Sequence, residues 1–579
     1  MPRVLVRGVG EFEVERGANL LEALRKFGVP IAAGCGGHGL CGMCRVRVVA
    51  GELSPPTRRE AALLSGLLER GWRLACQATV MGDVEVEVPV RRTAGVKHRL
   101  RPSISISAPL FLVPVKIVED TPSVEEALIS GLRRLGVDVR TSSIRALAAM
   151  AVNASRGGTE KVAVVMDGEL VDLIDDYRGF GLAVDIGTTS VAASLVDLAS
   201  GSIVGEEVSL NAQLKFGGDI IARIQYAATR VNGVRELQEA VMGTINSLVE
   251  RLKVPHERIY RVVVAGNSVM LHLFYGVNPR TLGSLPFEPV FRRSLSARGA
   301  ELGLRVNPQA LVESLPILGG YVGGDVVGDM LASRILEYGT VMMIDVGTNG
   351  EVVVKKGDKL VAASTPAGPA FEGVGLSHGM MAVEGAVERV KVGWGGVEYR
   401  VIGGGEPQGI CGSGYIDLLA ELLRIGLLSE SGRMMRGPQV REKEGVLEFV
   451  LDEERGVTLT QLDVRKLQLA IAAVKMTEKY LLKLLKVRVE ELEKVIVAGD
   501  FGYHLDPSNA MEVGLLPKVD ESLVEFIGNG SLTGAEMYML SREARDEALR
   551  LADVCEVVEV PRHDRAFIEE LKLGRWREP

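Results

Sequence analysis

A chain of 579 residues is too long for one ordinary core and implies several domains, roughly three or four by the usual size relation. Apolar residues make up 47%, ample for complete cores, while a net charge of −8 and only 5% aromatic residues argue against nucleic-acid binding. No apolar run approaches a membrane span, charges interrupt the N-terminus too early for a signal peptide, and six cysteines in so long a chain favour metal or redox chemistry over a disulfide framework. A cytoplasmic location is the expectation.

The first unit is read as 1–90. RVLVRG and EFEVERG form a hairpin, Asn19 caps a short helix with Glu22 three residues on, and Gly28 stops it. Then comes GCGGHGLCGMC, in which Cys35, Cys41 and Cys44 are spaced C-x5-C-x2-C; Cys76 follows in RLACQATV. Three thiolates in a Gly-rich loop plus a distant fourth is the ligand layout of a [2Fe–2S] cluster. The glycines at 34, 36, 37, 39 and 42 let the loop wrap the cluster and aim N–H groups at its sulfurs. A zinc site is the competing reading, but zinc usually takes two C-x2–4-C pairs. The x5 gap departs from the plant-type x4 and is more similar to the adrenodoxin-like subclass, which bears on potential and not on cluster type. With four cysteines present, His38 is read as an exposed loop residue.

Residues 91–112 read as a linker. They carry Arg91, Arg92, Lys97, Arg99 and Arg101 with no acid, as a solvated tether or an arm that lets the cluster move. As a coil of about 20 residues it would span ~25 Å. Residues 113–178 read as a small α/β unit. It has a strand in VPVKIVED, a capping box of Ser123 and Glu126 on a helix closed by Gly136, a second helix near 143–154, and a hairpin turning at Asp167–Gly168. No catalytic constellation appears in it. A spacer or dimerisation role, and hence a homodimer, is the expectation.

From residue 179 the chain repeats itself. LAVDIGTTS (Leu182–Ser190) matches VMMIDVGTNGE (Val341–Glu351), and VVVAGNS (Val262–Ser268) matches VIVAGDFG (Val495–Gly502). Each first motif is an apolar strand running out into a tight turn. Gly187, Gly347 and Gly350 let backbone N–H groups approach an anion, and Thr188, Thr189, Thr348 and Asn349 add side-chain donors. Asp185 and Asp345, at the strand mouths, suit Mg²⁺ held through water. The duplication implies two similar lobes around one cleft. The Gly-rich turn 409–414 opens an amphipathic helix, and Gly412 and Gly414 place its N-terminus as an anion site. Cys411 reads as a small loop residue near the nucleotide and Cys555 as core. His378 and His504 read as loop residues without acid–base partners.

The paired loops resemble those of the acetate and sugar kinase, heat-shock chaperone and actin superfamily. The resemblance implies an actin-like two-lobed ATPase over 179–579 in which DIGTT and DVGTN clasp the ATP phosphates. Gly499 and Gly502 of VAGDFG would then touch adenosine. Taken with the N-terminal unit, the stretches DIGTTS, VAGNSVMLHL, DVGTNGE, AGPAFEG, ICGSGYID and VAGDFGYHLDPSNA resemble the reductive activators of corrinoid proteins, in their ferredoxin-bearing branch. The cysteines for the C-terminal [4Fe–4S] clusters of the methylamine branch are missing. The implied architecture is multidomain, α/β and α+β: a β-grasp [2Fe–2S] ferredoxin, a linker, a small α/β middle domain and the two-lobed ATPase.

The activity implied is ATP-driven one-electron reduction of Co(II) corrinoid to Co(I) in a methyl-transfer partner, with electrons from an external low-potential donor. Each 59 mV is a factor of ten for one electron, so an uphill step needs a bias, which nucleotide-dependent binding to the Co(II) partner would supply. Two other readings are compatible with the residues. One is an ATP-coupled donor to a non-corrinoid enzyme. The other is a redox-regulated metabolite kinase with Glu351, Asp325 or Glu372 as base.

Overall fold

A computed structural model of the chain describes every residue except 8, 28, 30, 32–36, 38, 40, 41, 43, 89–101, 108, 109, 117–122, 155–159, 177, 348, 349, 394, 395, 500, 502–504, 562, 563, 575 and 577–579. Cys35, His38, Cys41, Thr348, Asn349, Gly502, His504 and the basic stretch through Arg101 therefore lie outside the described residues.

In the N-terminal unit, β1 (Arg3–Val6) and β2 (Gly10–Glu13) form the expected hairpin, and β1 also pairs in parallel with β5 (Val80–Glu87). β3 (Arg45–Leu53) and β4 (Trp72–Leu74) complete a five-stranded sheet ordered β2-β1-β5-β3-β4. Alternation decides which face is buried: Val4 and Val6 turn inward while Arg3 and Leu5 face out. α1 (Leu20–Lys26) packs Leu20 and Leu24 into that core, and α2 (Arg58–Leu64) adds Leu64. Asn19 Oδ1 accepts from the Leu21 and Glu22 amides and so caps α1 (3.1 and 3.3 Å).

The stretch expected to be a tether differs in its second half. Pro102–Ser107 lies along the last domain: Ser107 N–H donates to Leu540 O, the Arg542 amide donates to Ser107 Oγ (both 2.8 Å), and Ile104 packs on the core beneath. β6 (Leu110–Lys116) then begins inside the range read as linker. Ile104 supplies the apolar contact, while Ile106 stays exposed.

The small α/β unit holds β6, α3 (Val124–Arg134), β7 (Thr141–Ser142), α4 (Ile144–Ala154), β8 (Glu160–Met166) and β9 (Glu169–Ile174), with sheet order β6-β8-β9-β7. Ser123 Oγ accepts from the Glu126 amide, and the β8–β9 turn holds Asp167 and Gly168 at φ 50° and 80°, the pair of positive values that a two-residue hairpin requires. One face of the sheet carries α3 and α4. The other packs Val162, Val164 and Val171 against Tyr260 of the next domain, whose hydroxyl donates to buried Asp172 (3.2 Å).

Two larger sheets follow. The first contains β10 (Phe180–Ile186), β11 (Ser190–Asp197), β12 (Ile203–Leu210), β13 (Ile259–Gly266), β14 (Ser296–Arg298) and β15 (Leu311–Ser314), ordered β12-β11-β10-β13-β15-β14. Its helices are α5 (Ile220–Thr229), α6 (Gly233–Arg251), α7 (Ser268–Phe274), α8 (Gly299–Leu302) and α9 (Gly324–Ala332). The second contains β16 (Thr340–Val346), β17 (Gly350–Lys356), β18 (Lys359–Thr365), β25 (Lys494–Ala498), β26 (Val524–Gly528) and β27 (Cys555–Val557), ordered β26-β25-β16-β17-β18-β27. Between β18 and β25 run β19 (Ala386–Gly393), β20 (Gly396–Val401), β21 (Gly409–Ile410), α10 (Gly412–Arg424), β22 (Val440–Lys443), β23 (Val446–Asp452), β24 (Val457–Thr460) and α11 (Gln461–Leu485). α12 (Pro507–Val513), α13 (Gly530–Leu540), α14 (Arg542–Val554) and α15 (Asp564–Glu570) complete the lobe.

The duplication holds down to register. In each lobe three antiparallel strands lead, and the first pairs in parallel with the V-A-G strand: Asp185 opposite Ala265, Asp345 opposite Ala498. Strand alternation sends Leu182 and Val184 into the core of lobe one and Ala183 into a central core shared by both lobes. Met342 and Ile344 likewise enter the core of lobe two, with Val341 and Met343 in the shared one. There α9 and α13 cross in backbone contact: a Cβ on Gly534 would lie 2.3 Å from the Gly328 backbone.

Candidate functional site

The strand exits bring loop one and loop two to a single cleft. Asp185 ends β10, and its carboxylate accepts from Asn529 Nδ2 and Ser531 Oγ, both 2.9 Å away at the start of α13. Gly187 O accepts from Asn211 Nδ2 (2.9 Å), and Thr188 Oγ1 meets Asn267 Nδ2 (3.4 Å). Thr188 O takes a donor from Arg223, a fully buried guanidinium that also donates to Gly217 O (3.0 Å) and Gln213 Oε1 (3.1 Å). Burial lowers the Arg223 pKa to about 9. Thr189 Oγ1 reaches across the cleft and donates to Glu372 Oε2 at 3.1 Å.

Loop two is surrounded by acids. Asp345 Oδ1 lies against Gly499, where a Cβ would come within 2.8 Å, so this glycine (φ 88°) permits the close approach of the V-A-G strand exit. Burial and then Asp345 push the Asp325 carboxyl up to about 8. Asp329 and Glu351 are also raised, first by burial and then by their acidic neighbours. Glu351 accepts from Ser364 Oγ (3.1 Å), while Asp329 Oδ2 has no hydrogen-bond partner among the described residues. Carboxylates so placed repel one another unless protons or a cation sit among them. Among the described residues no three His, Cys, Asp or Glu side chains converge as direct ligands to one ion. Oxygen donors of this kind would fit Mg²⁺, which keeps several waters and shares its shell with phosphate oxygens.

Of the other nucleotide-side candidates, Gly350 opens β17 with Thr365 Cγ2 2.8 Å from its missing Cβ, and Gly347 sits at the bend after β16. Gly412 and Gly414 serve packing at the start of α10: their missing Cβ atoms would lie 1.9 Å from Phe371 O and 2.3 Å from Val387 O. Cys411, the N-cap of α10, is buried with its Sγ on Val387 O, and Cys555 is buried in β27. His378 lies in a loop, as expected, and its Nδ1 has no hydrogen-bond partner among the described residues. It is 3% exposed, and burial, with Arg45 nearby, lowers its pKa to about 3.

In the N-terminal unit Cys44, just before β3, and Cys76, in a tight turn after β4, share one buried core. Gly37, at φ 94°, lies against Cys76, with 3.8 Å from its missing Cβ to Cys76 Cβ. Gln77 Nε2 donates to Gly37 O (3.3 Å) and approaches Cys76 Sγ (3.7 Å). Buried Glu60 accepts from Arg73 Nε (2.9 Å) and the Leu74 amide (3.0 Å), fixing β4 just ahead of Cys76. Two buried thiols, with Gly37 and the Gln77 side-chain amide beside Cys76, fit the thiolate ligands of a cluster.

Sequence reasoning missed Arg223, Asn529, Ser531, Asp329 and Glu60. Two signals existed. Arg223 sits on the apolar face of α5, four residues after its cap Asp219, and G-N-G-S follows an apolar strand as V-A-G-N-S does.

Comparison with known proteins covers the same regions. A model of the 2Fe-2S iron-sulfur cluster binding domain matches residues 5–81, the RACo middle region matches 180–337, and the C-terminal domain of RACo, the ASKHA domain, matches 339–575. The corrinoid activation enzyme RamQ of Eubacterium limosum is 33% identical over 564 residues, covering 92% of this chain and 92% of its own. The chain belongs to the reductive activators of corrinoid proteins. A solved reductive activator for corrinoid, iron-sulfur protein is 32% identical and superposes with a TM-score of 0.74, over 99% of this chain and 97% of that one. A Co(II) methylated amine-specific corrinoid protein reductase of Methanosarcina barkeri is 26% identical over 414 residues, 64% of this activator and 72% of its own length. The two RACo regions correspond to the two lobes whose sheets repeat each other.

Proposed function

We propose that this activator uses ATP to drive one electron from its [2Fe–2S] cluster onto a Co(II) corrinoid, regenerating Co(I) in a methyl-transfer protein. The observation that carries the reading is the fusion: a ferredoxin unit and a duplicated nucleotide cleft in one chain, similar over nearly its full length to corrinoid activators. The cluster, when bound, supplies a one-electron carrier; Cys35, Cys41, Cys44 and Cys76 would hold it. An external low-potential donor refills it. Exposed Ile144, Leu147 and Val152 on α4 favour a homodimer through the small α/β unit.

In the cleft, Gly187, Thr188, Thr189, Gly347, Thr348, Asn349 and Gly350 receive the phosphates. Asp185 and Asp345 hold Mg²⁺ through its waters, with Asp325 and Asp329 behind. Arg223 braces loop one from below through Thr188 O. Gly499 and Gly502 border adenosine, and the α10 N-terminus at Gly412 and Gly414 lends its N–H groups to the same wall. Mg²⁺, when bound, relieves the repulsion among the buried acids. Among the described residues no helix is long and apolar enough to cross a membrane.

The test is anaerobic. Holoprotein is reduced, freed of donor and mixed with Co(II) corrinoid protein and ATP; one cluster should reoxidise per Co(I) formed. Protein carrying Cys44→Ala and Cys76→Ala should lose its iron, keep ATP hydrolysis and form no Co(I). Co(I) formation by that variant would refute the cluster's role.

A further inference from the structure

The ferredoxin unit and lobe two meet through few contacts. Arg45, next to Cys44, donates from Nε to Gly42 O in the cluster loop (3.0 Å) and from its other end to Gly379 O of lobe two. Arg70 lies beside Gly456, with Nη2 3.2 Å from where a Cβ would stand. Between these two points remains a cleft of about 980 Å³. Its ferredoxin wall carries Arg45, Arg47 and Arg70 with Glu87, and its other wall Glu384, Glu406 and Glu454 with Arg455; Arg47 pairs with Glu87 and Glu406 with Arg455 on their own sides. The net basic wall facing a net acidic one makes a specific, reversible contact.

The same segment of lobe two reaches the nucleotide cleft. Glu372 ends a short turn, Pro369–Glu372, bounded by Gly368 and Gly373 at φ 70° and 75°. Its carboxylate takes the Thr189 hydroxyl of loop one. Gly373 and Gly379 then touch back to back: a Cβ on Gly379 would lie 2.0 Å from Gly373 O, and one on Gly373 2.5 Å from the Met380 amide. The contacts run without a break from Thr189 to Glu372, Gly373, Gly379, Arg45 and the cluster loop.

We propose that this face of lobe two is a dock for the ferredoxin unit that nucleotide releases. The proposal rests on the assignment of Thr189 to the phosphate site. Triphosphate at loop one needs the Thr189 hydroxyl and repels the Glu372 carboxylate. The turn swings on its flanking glycines, the Gly373–Gly379 contact carries the movement, and the Arg45–Gly379 bond is lost. The cluster is held against lobe two until nucleotide arrives and is then free to approach the corrinoid. Docking and nucleotide binding are antagonistic, so each weakens the other by one factor.

Hydrogen exchange of the holoprotein, with and without the Mg²⁺ complex of a non-hydrolysable ATP analogue, tests this, alongside calorimetric affinity for the same analogue. Exchange in 376–385 and 68–74 should quicken about 5-fold or more with nucleotide. Arg45→Ala and, separately, Arg70→Ala should tighten analogue binding by about the same factor. Glu372→Ala should bind the analogue with no change in exchange at the dock. The visible spectrum of each variant verifies an intact cluster. Analogue bound at wild-type affinity by both arginine variants, with unchanged exchange in the wild type, overturns the dock and leaves the nucleotide site standing. No analogue binding in the wild type overturns both.

Discussion

The two lobes repeat one strand frame, and the loops that leave it differ in their surroundings. Each places an Asp at the end of its first strand, opposite the Ala of a V-A-G strand. Around loop one most side chains are donors, Asn211, Arg223, Asn267, Asn529 and Ser531, with the Glu372 carboxylate on Thr189 the exception. Around loop two they are acids: Asp325, with buried Asp329 and Glu351. The frame thus occurs twice, with two different linings. A donor-rich wall suits phosphate oxygens, and an acid-rich wall suits a hydrated divalent cation.

The largest effects should come from the shared aspartates. Asp345→Ala and Asp185→Ala should each lower ATP turnover by about two orders of magnitude or more, with the cluster spectrum unchanged. A steady-state phosphate-release assay decides it; unaltered turnover in both would break the equivalence of the two loops.

Arg223→Gln probes the donor wall alone. It leaves Thr188 O and Gly217 O without their donor, so analogue affinity should fall about tenfold, or about 1.4 kcal/mol. Calorimetry reads this, and an affinity equal to wild type would make Arg223 a core residue only.

The acid wall should show itself in pH. The Asp325 carboxyl is pushed up to about 8 from 3.8, so the metal-free native state holds the extra proton. Its contribution to stability is complete below about 3.8 and is lost as pH rises through about 8. Mg²⁺ requires ionised carboxylates, so its nucleotide complex should bind more tightly as pH rises over this window, by at most about tenfold per unit for each proton released. Asp325→Asn should flatten that profile in a titration from pH 6 to 8.5; an unchanged slope would remove Asp325 from the metal side. Asn529→Ala, which takes one donor from Asp185 and leaves Ser531 in place, should cost only about 1 kcal/mol of thermal stability and a few-fold in turnover. A loss as large as that of Asp185→Ala would show that α13 does more than orient the carboxylate.

The repeated D-[IV]-G-T and V-A-G motifs were legible because they depend on local backbone, an apolar strand followed by residues that tolerate a tight turn. Ser123 and Asp167–Gly168 were legible for the same reason. What stayed hidden was partnership at long range. Asp185 and Asn529 are 344 residues apart, and Thr189 and Glu372 183. Periodicity shows that Arg223 faces a core but not that a phosphate loop lies above it. Pro102–Ser107 reads as linker because a single packed isoleucine, Ile104, is too little to declare a surface that it covers.

The central claim is that nucleotide turnover drives electron delivery to cobalt. Its most direct test is anaerobic visible spectroscopy of a Co(II) corrinoid protein mixed with this protein and a reductant, with ATP, with a non-hydrolysable analogue, or with no nucleotide. The account predicts the Co(I) spectrum to accumulate with ATP alone. Equal accumulation without nucleotide, or ATP hydrolysis with no Co(I) formed, would contradict it.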